Sequence, residues 1–143
     1  MKVFERLDHV SIGVIDLEKA TRVFIDVLGG EPLRDVGTNE REGFRWMTFR
    51  LGGKKVELVA PHGNGQSGVR RYIDKRGEGF HHCSISVANI EAAVAYFKSK
   101  GIGVLGLNVE DPNWKHCYLD PKATFGALIQ VFEENERTLS HGE

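Results

Sequence analysis

The sequence predicts an α+β protein made of two copies of one module, each a strand, a helix and then three strands. Three observations carry this reading. The first is an internal repeat: displaced by 73 positions, His9, Ser11, Ile12 and Val14 of "HVSIGV" fall on His82, Ser84, Ile85 and Val87 of "HCSISV". The match continues without gaps, with Glu18 on Glu91, Ala20 on Ala93 and Phe24 on Phe97. The second is a change of period within each copy, from alternation in the opening segment to helical spacing after it. The third is a glycine-rich stretch with Pro61, Gly63, Gly65 and Gly68, which joins the copies.

A chain of 143 residues with 41% hydrophobic content is the length of one domain and buries roughly 70% of its unfolded surface. One domain is therefore expected over residues 1–143. Its parts are a first module at 7–60, a connecting segment with a short helix at 61–79, a second module at 80–132 and a frayed charged tail at 133–143.

The elements follow in order. Asp16 is the expected N-cap of the first helix, Leu17, Ala20, Phe24 and Val27 or Leu28 make its apolar stripe, and Gly29-Gly30 ends it. Strands are expected at Phe44 to Leu51 and, across Gly52-Gly53, at Lys54 to Val59, with the strand ahead of them giving the weakest signal. Ser67 begins the connecting helix, whose Arg70, Arg71, Lys75 and Arg76 read as a solvated face. In the second copy, strand alternation puts His82, Ser84 and Ser86 on one face and Cys83, Ile85 and Val87 on the other. Asn89 then caps a helix with the stripe Ile90, Ala93, Phe97, and Gly101 stops it. Strands at Lys115 to Leu119 and Ala127 to Phe132 flank a turn containing Pro121 and Gly126.

Nineteen basic residues against twenty acidic ones give no overall attraction to nucleic acid or to a membrane surface. The start of the chain has no apolar signal core, no run reaches transmembrane length, and only Cys83 and Cys117 carry thiols. A reduced, cytoplasmic protein acting on a small molecule is expected.

Applied to the last strand of each copy, the same displacement pairs Val56-Glu57-Leu58 with Ile129-Gln130-Val131, a polar residue between two apolar ones in both. If related halves bring equivalent strands together, His9, Glu57, His82 and Gln130 converge on one concave surface. Two imidazoles, a carboxylate and an amide carbonyl suit one divalent metal, Fe, Mn, Co, Ni or Zn, with room for water or substrate. Ser11, Gly13, Ser84 and Ser86 leave space beside it. A lone histidine at a strand head is usually an ordinary polar residue; two in repeat-equivalent places, with two further polar residues also equivalent, favour a metal.

His81 has the wrong strand parity for this cleft, His62 and His116 lack repeat partners among the candidates, and His141 belongs to the tail. By parity Phe44, Trp46 and Thr48 face the cleft, Trp46 either as an apolar wall for a substrate or as a well-packed ring. Ser84 would also line the substrate space. Cys117 and His116 point to opposite strand faces, so no thiolate–imidazole pair is expected. Asp120 and Lys122 are expected in a turn, from which Lys122 could reach an anionic substrate.

These residues in two repeats resemble the vicinal oxygen chelate superfamily, which includes glyoxalase I, methylmalonyl-CoA epimerases, extradiol dioxygenases and fosfomycin or bleomycin resistance proteins. The resemblance runs from "LDHVSIGVIDLEKA" to "LDPKATFGALIQVFEE" and is most like the methylmalonyl-CoA epimerases through "VELVAP", "RGEGFHHCSISVANIEAAV" and "DPKATFGALIQ". It implies paired βαβββ modules forming a cupped mixed sheet around a central cleft, a homodimer, and metal ligands at His9, Glu57, His82 and Gln130. Two departures stand out. Amide and carboxylate have exchanged halves relative to the epimerase pattern, and Trp46 stands where bacterial epimerases carry a further glutamate.

Three functions follow as expectations. The leading one is a metal-dependent isomerase or epimerase that moves a proton beside a carbonyl, of an acyl-CoA or a 2-oxo compound, with Glu57 as the base and Gln130 unable to serve as one. The second is an Fe(II) extradiol-type dioxygenase using His9, His82 and Glu57. The third is a non-enzymatic binding or resistance protein in which Phe44, Trp46 and Trp114 stack on a ligand.

Overall fold

The computed structural model describes residues 3–135. The elements are β1 (Phe4–Gly13), α1 (Leu17–Thr21) running into a π-helical segment (Arg22–Val27), β2 (Glu31–Pro32), β3 (Gly37–Asn39), β4 (Phe44–Leu51), β5 (Lys54–Pro61), α2 (Gly68–Arg76), β6 (Gly79–Val87), α3 (Ile90–Ser99), β7 (Val104–Asp111), β8 (Trp114–Leu119) and β9 (Ile129–Glu134). The chain divides into two compact units. The first is His9–His81; the second joins the residues up to Asp8 to those from His82 onward.

In the first unit the strands lie in the order β2, β4, β5, β1, with β3 also on β4. β1 runs parallel to β5, with Val10 beside Val56, Ser11 beside Glu57, Ile12 beside Leu58 and Gly13 beside Val59. A parallel pair needs a crossover, and α1 with its π-helical continuation forms part of it. Strand alternation then sorts the faces. Val10, Ile12, Met47, Phe49, Val56 and Leu58 pack under Leu17, Ala20, Phe24 and Ile25 of the helix. The Asp16 side chain accepts from the Lys19 backbone N–H at 3.0 Å, as the spacing predicts.

The apolar spacing predicts one regular helix as far as Gly29-Gly30. Instead Leu28 N–H bonds Val23 C=O at 3.0 Å, five residues back, and the widened turn sets Gly30 so tightly on the helix end that a Cβ there would lie 2.8 Å from the Phe49 ring. The strand with the weakest signal is split into the short pieces β2 and β3.

The other face of this unit carries Ser11, Gly13, Trp46, Thr48, Glu57 and Val59, because β4 places Thr48 opposite Glu57 and Trp46 opposite Val59. α2 covers its far end: Val69 and Ile73 pack with Val59, Phe44 and Trp46, and a Cβ on Gly13 would meet Ile73 at 3.3 Å. Ser67 caps α2 by accepting from Arg70 N–H at 3.0 Å. The basic residues of α2 lie at the surface, as expected, and some of them also make local contacts. Arg70 donates to the carbonyls of Gly63 (2.8 Å) and Gly65 (3.1 Å) and so ties the glycine-rich loop to the helix, while Arg76 lies over the Tyr72 ring at 5.4 Å.

In the second unit the order is β6, β9, β8, β7. β6 runs parallel to β9 with Cys83 beside Ile129, Ser84 beside Gln130, Ile85 beside Val131 and Ser86 beside Phe132. Each pair is displaced by 73 from a pair in the first unit. Val87, Cys117, Leu119 and Val131 pack under Ile90, Ala93, Val94 and Phe97 of α3, and the Phe4 ring lies 5.7 Å from that of Phe97. Burial pushes the Cys117 thiol up to about 11, which makes it a core residue rather than a nucleophile.

Asn89 caps α3 through Ala92 N–H at 2.8 Å, and Glu133 adds a second cap by accepting from Ile90 N–H at 2.9 Å. This corrects the expected boundary of the tail: β9 continues to Glu134 and Glu133 is buried, because its carboxylate satisfies the helix end. Residues 136–143 of the expected tail, His141 among them, lie outside the described residues. No helix among the described residues is long and apolar enough to cross a membrane.

Candidate metal centre

In the first unit, strand alternation and the β1–β5 register bring an imidazole and a carboxylate together. His9 is 4% exposed and Glu57 8% exposed, with His9 Nε2 3.8 Å from Glu57 Oε1. That separation is too long for a hydrogen bond. It suits two donors that share one cation, each about 2.1 Å from it. Ser11 Oγ donates to the same Glu57 oxygen at 2.7 Å, which fixes the carboxylate. A buried carboxylate calls for positive charge to offset its lost hydration, and a divalent ion shared by His9 and Glu57 is one group that could supply it.

The second unit repeats the construction with a different side chain. Ser84 Oγ donates to Gln130 Oε1 at 2.7 Å, the counterpart of the Ser11–Glu57 bond. Gln130 Nε2 donates in turn to the Tyr118 hydroxyl at 3.3 Å. His82, half-buried at the head of this unit's part of β6, presents its ring edge-on to Tyr118 with centroids 6.5 Å apart. A neutral imidazole nitrogen and a buried amide oxygen are both competent ligands for a borderline divalent metal.

The remaining candidates are placed as follows. Trp46 is half-buried on the same face as Glu57, 5.5 Å from the Phe44 ring. It lies so close over Gly37 that a Cβ there would be 2.3 Å from the indole; the ring is packed against α2 and β3. Thr48, 1% exposed, sits opposite Glu57, and its hydroxyl has no hydrogen-bond partner among the described residues. Lys122 is exposed, in a turn held by its backbone N–H to Asp120 Oδ1 at 3.0 Å. Trp114 stacks on Phe132 at 4.5 Å.

His81 lies 4.3 Å from the Tyr72 ring, and burial pushes its pKa down to about 4. His62 pairs with Glu40 at 3.0 Å. Tyr118 is the neighbour that the sequence reading missed. Strand parity alone puts it on the Gln130 face, but three more residues separate Tyr118 from Gln130 than separate Thr48 from Glu57. The 73-residue displacement therefore carries Thr48 onto Pro121 and hides the match.

The model of the Glyoxalase/Bleomycin resistance protein/Dioxygenase superfamily matches residues 8–118. Methylmalonyl-CoA epimerase, mitochondrial, of Homo sapiens is 36% identical over 129 residues, which cover 88% of this chain and 72% of that protein. The Ethylmalonyl-CoA/methylmalonyl-CoA epimerase of Cereibacter sphaeroides is 34% identical over 134 residues, covering 88% of this chain and 96% of that one. Among solved structures, methylmalonyl-CoA epimerase from Mycobacterium tuberculosis is similar with a TM-score of 0.82 at 25% identity, covering 99% of this chain and 95% of that one. A Streptomyces coelicolor methylmalonyl-CoA epimerase variant in complex with 2-nitronate-propionyl-CoA has a TM-score of 0.80 at 25% identity, covering 93% and 99%. The α+β fold expected from the two repeats is the fold of these neighbours.

Proposed function

The chain belongs to the Glyoxalase/Bleomycin resistance protein/Dioxygenase superfamily, and from that premise we propose that it is a divalent-metal-dependent epimerase of 2-substituted acyl-CoA esters. The two relatives above are named as epimerases of methylmalonyl-CoA and of ethylmalonyl-CoA/methylmalonyl-CoA. The observation that carries the reading is the matched pair of buried bonds, Ser11 to Glu57 and Ser84 to Gln130, which orients one ligating side chain in each unit. His9, Glu57, His82 and Gln130 are the proposed ligands, and Fe, Mn, Co, Ni and Zn all suit this donor set.

A divalent ion, when bound, draws electron density from the carbonyl next to the labile C–H and so acidifies it. Glu57 takes the proton, since a carboxylate can accept one and the Gln130 amide cannot. A solvent water would return a proton to the opposite face of the planar carbanion, which completes the inversion and carries solvent hydrogen into the product. Ser11 holds the accepting oxygen in place. The idle hydroxyl of buried Thr48 offers a donor beside Glu57, the small Ser84 leaves room in the equivalent space, Phe44 and Trp46 form an apolar wall, and Lys122 meets an anionic part of the substrate. A cytoplasmic location is proposed on the low cysteine content alone, two in 143 residues. A homodimer is proposed on the family resemblance, and sedimentation velocity reads it directly.

The test is solvent exchange. Metal-loaded protein is incubated with stereochemically defined methylmalonyl-CoA or ethylmalonyl-CoA in D2O, and deuterium at the substituted carbon is followed by NMR. Exchange with inversion is the expected result. No exchange with any of the five metals overturns the reading; oxygen uptake with a catechol would then point to a dioxygenase, and tight metal-independent binding without turnover to a binding protein.

A further inference from the structure

The two matched side chains differ in a way that matters for a ligand. A carboxylate presents an oxygen whichever way it turns, whereas a carboxamide presents an oxygen at one end and an N–H group at the other, and only the oxygen binds a cation. Gln130 therefore needs something to fix which end is which; Glu57 does not. The strand register supplies a neighbour to each: Thr48 opposite Glu57 and Tyr118 opposite Gln130. Thr48 leaves Glu57 alone, its hydroxyl without a hydrogen-bond partner among the described residues. Tyr118 engages Gln130, with its hydroxyl oxygen accepting from Nε2 at 3.3 Å.

Resting on the reading of Gln130 as a ligand, we propose that Tyr118 is a positioning residue that holds the Gln130 carboxamide with its oxygen as the ligating atom. Ser84 does not make this choice by itself, because a hydroxyl can donate to the amide oxygen or accept from the amide nitrogen. The repeat points the same way as the distances. Ser11 must donate, since the Glu57 carboxylate only accepts, and Ser84 does the equivalent at the same 2.7 Å, a length typical of O–H···O bonds. The longer contact falls at the nitrogen end. An acceptor on Nε2 also polarises the amide and leaves more negative charge on Oε1, so the same bond that orients the ligand strengthens it.

A carboxylate at position 130 would reverse the sense of the contact: the Tyr118 hydroxyl would then donate to it and withdraw charge from the ligand. The test is a double-mutant cycle read as the Kd for Mn(II) or Co(II) by calorimetry on metal-free protein. Tyr118→Phe is expected to raise Kd by about tenfold or more, the usual effect of losing an outer partner of a ligand. In a Gln130→Glu background the same change is expected to leave Kd unaltered or to lower it. A Kd unchanged in the Gln130 background, or raised equally in both, overturns the positioning role. Failure of the unsubstituted chain to bind either ion overturns the ligand set itself, and the inference with it.

Discussion

The two units share a strand register down to the residue pair and differ in what they place on it. Glu57 and Gln130 occupy the same position, each bonded to a serine on the parallel strand, but one can carry a proton and the other cannot. The helices above them also differ: α1 is five residues long and widens into a π-helical segment, whereas α3 runs regularly for ten. Register survives duplication because a one-residue slip would turn every apolar side chain out of the core. Polar side chains on the opposite face carry no such constraint, and there the two units have diverged in chemistry.

The largest expected effect comes from breaking that chemical difference. Glu57→Gln should reduce turnover by about 100-fold or more, the contribution of a positioned general base, while the protein still binds metal through its remaining donors. Exchanging the pair, as Glu57→Gln with Gln130→Glu, restores the formal ligand charge and should restore metal affinity. Measured together, deuterium exchange and metal Kd then separate ligation from proton transfer. Full activity in the Glu57→Gln protein would remove Glu57 from the role of base.

A second difference concerns stability. In the second unit Glu133 satisfies the first turn of α3; its counterpart at the same displacement in the first unit is buried Ala60. Burial pushes the Glu133 pKa up, but bonds from Ile90 N–H and Asn135 and the charge of Lys115 outweigh it and hold the carboxyl below its usual range. A folded pKa below the unfolded one means that the stabilisation is present above the unfolded value and lost as pH falls through the folded one. Glu133→Ala should lower stability by about 1–2 kcal/mol at neutral pH, the worth of a buried capping bond. Near pH 3 the gap to the parent protein should shrink, and urea titrations at the two pH values measure it. An unchanged gap would mean that the carboxylate charge is not what stabilises α3.

Much of the scaffold was legible because repetition doubles every signal. Asp16, Ser67 and Asn89 cap helices as their spacing predicts, and β4 runs from Phe44 to Leu51 as expected. Other features follow from atoms that periodicity does not encode. The π-helical turn brings Gly30 close against Phe49, and β9 runs on to where Glu133 caps the end of α3. Tyr118 was hidden because an uninterrupted displacement cannot follow three extra residues in the turn before β9. The parity that placed Trp46 on the Glu57 face was readable, but its packing against Gly37 depends on the path of β3.

The turns ahead of β5 and β9 offer the finest comparison. Gly52 and Gly53 have φ of 58° and 82°, and the residues 73 positions later, Phe125 and Gly126, have φ of 59° and 88°. The backbone conformation has been kept while a glycine in one unit is matched by a phenylalanine in the other, in a left-handed region that crowds any Cβ. The Phe125 side chain is fully exposed, so no core packing offsets that strain. Phe125→Gly should therefore raise stability by about 1 kcal/mol, and Gly52→Phe should lower it by a similar amount, since nothing lies within 4 Å of a Cβ at Gly52 to add a clash. Chemical denaturation of both variants reads the two signs. If Phe125→Gly instead destabilises the protein, the ring must make contacts in solution that outweigh the strain, and the two turns would not be energetic equivalents despite their matching dihedral angles.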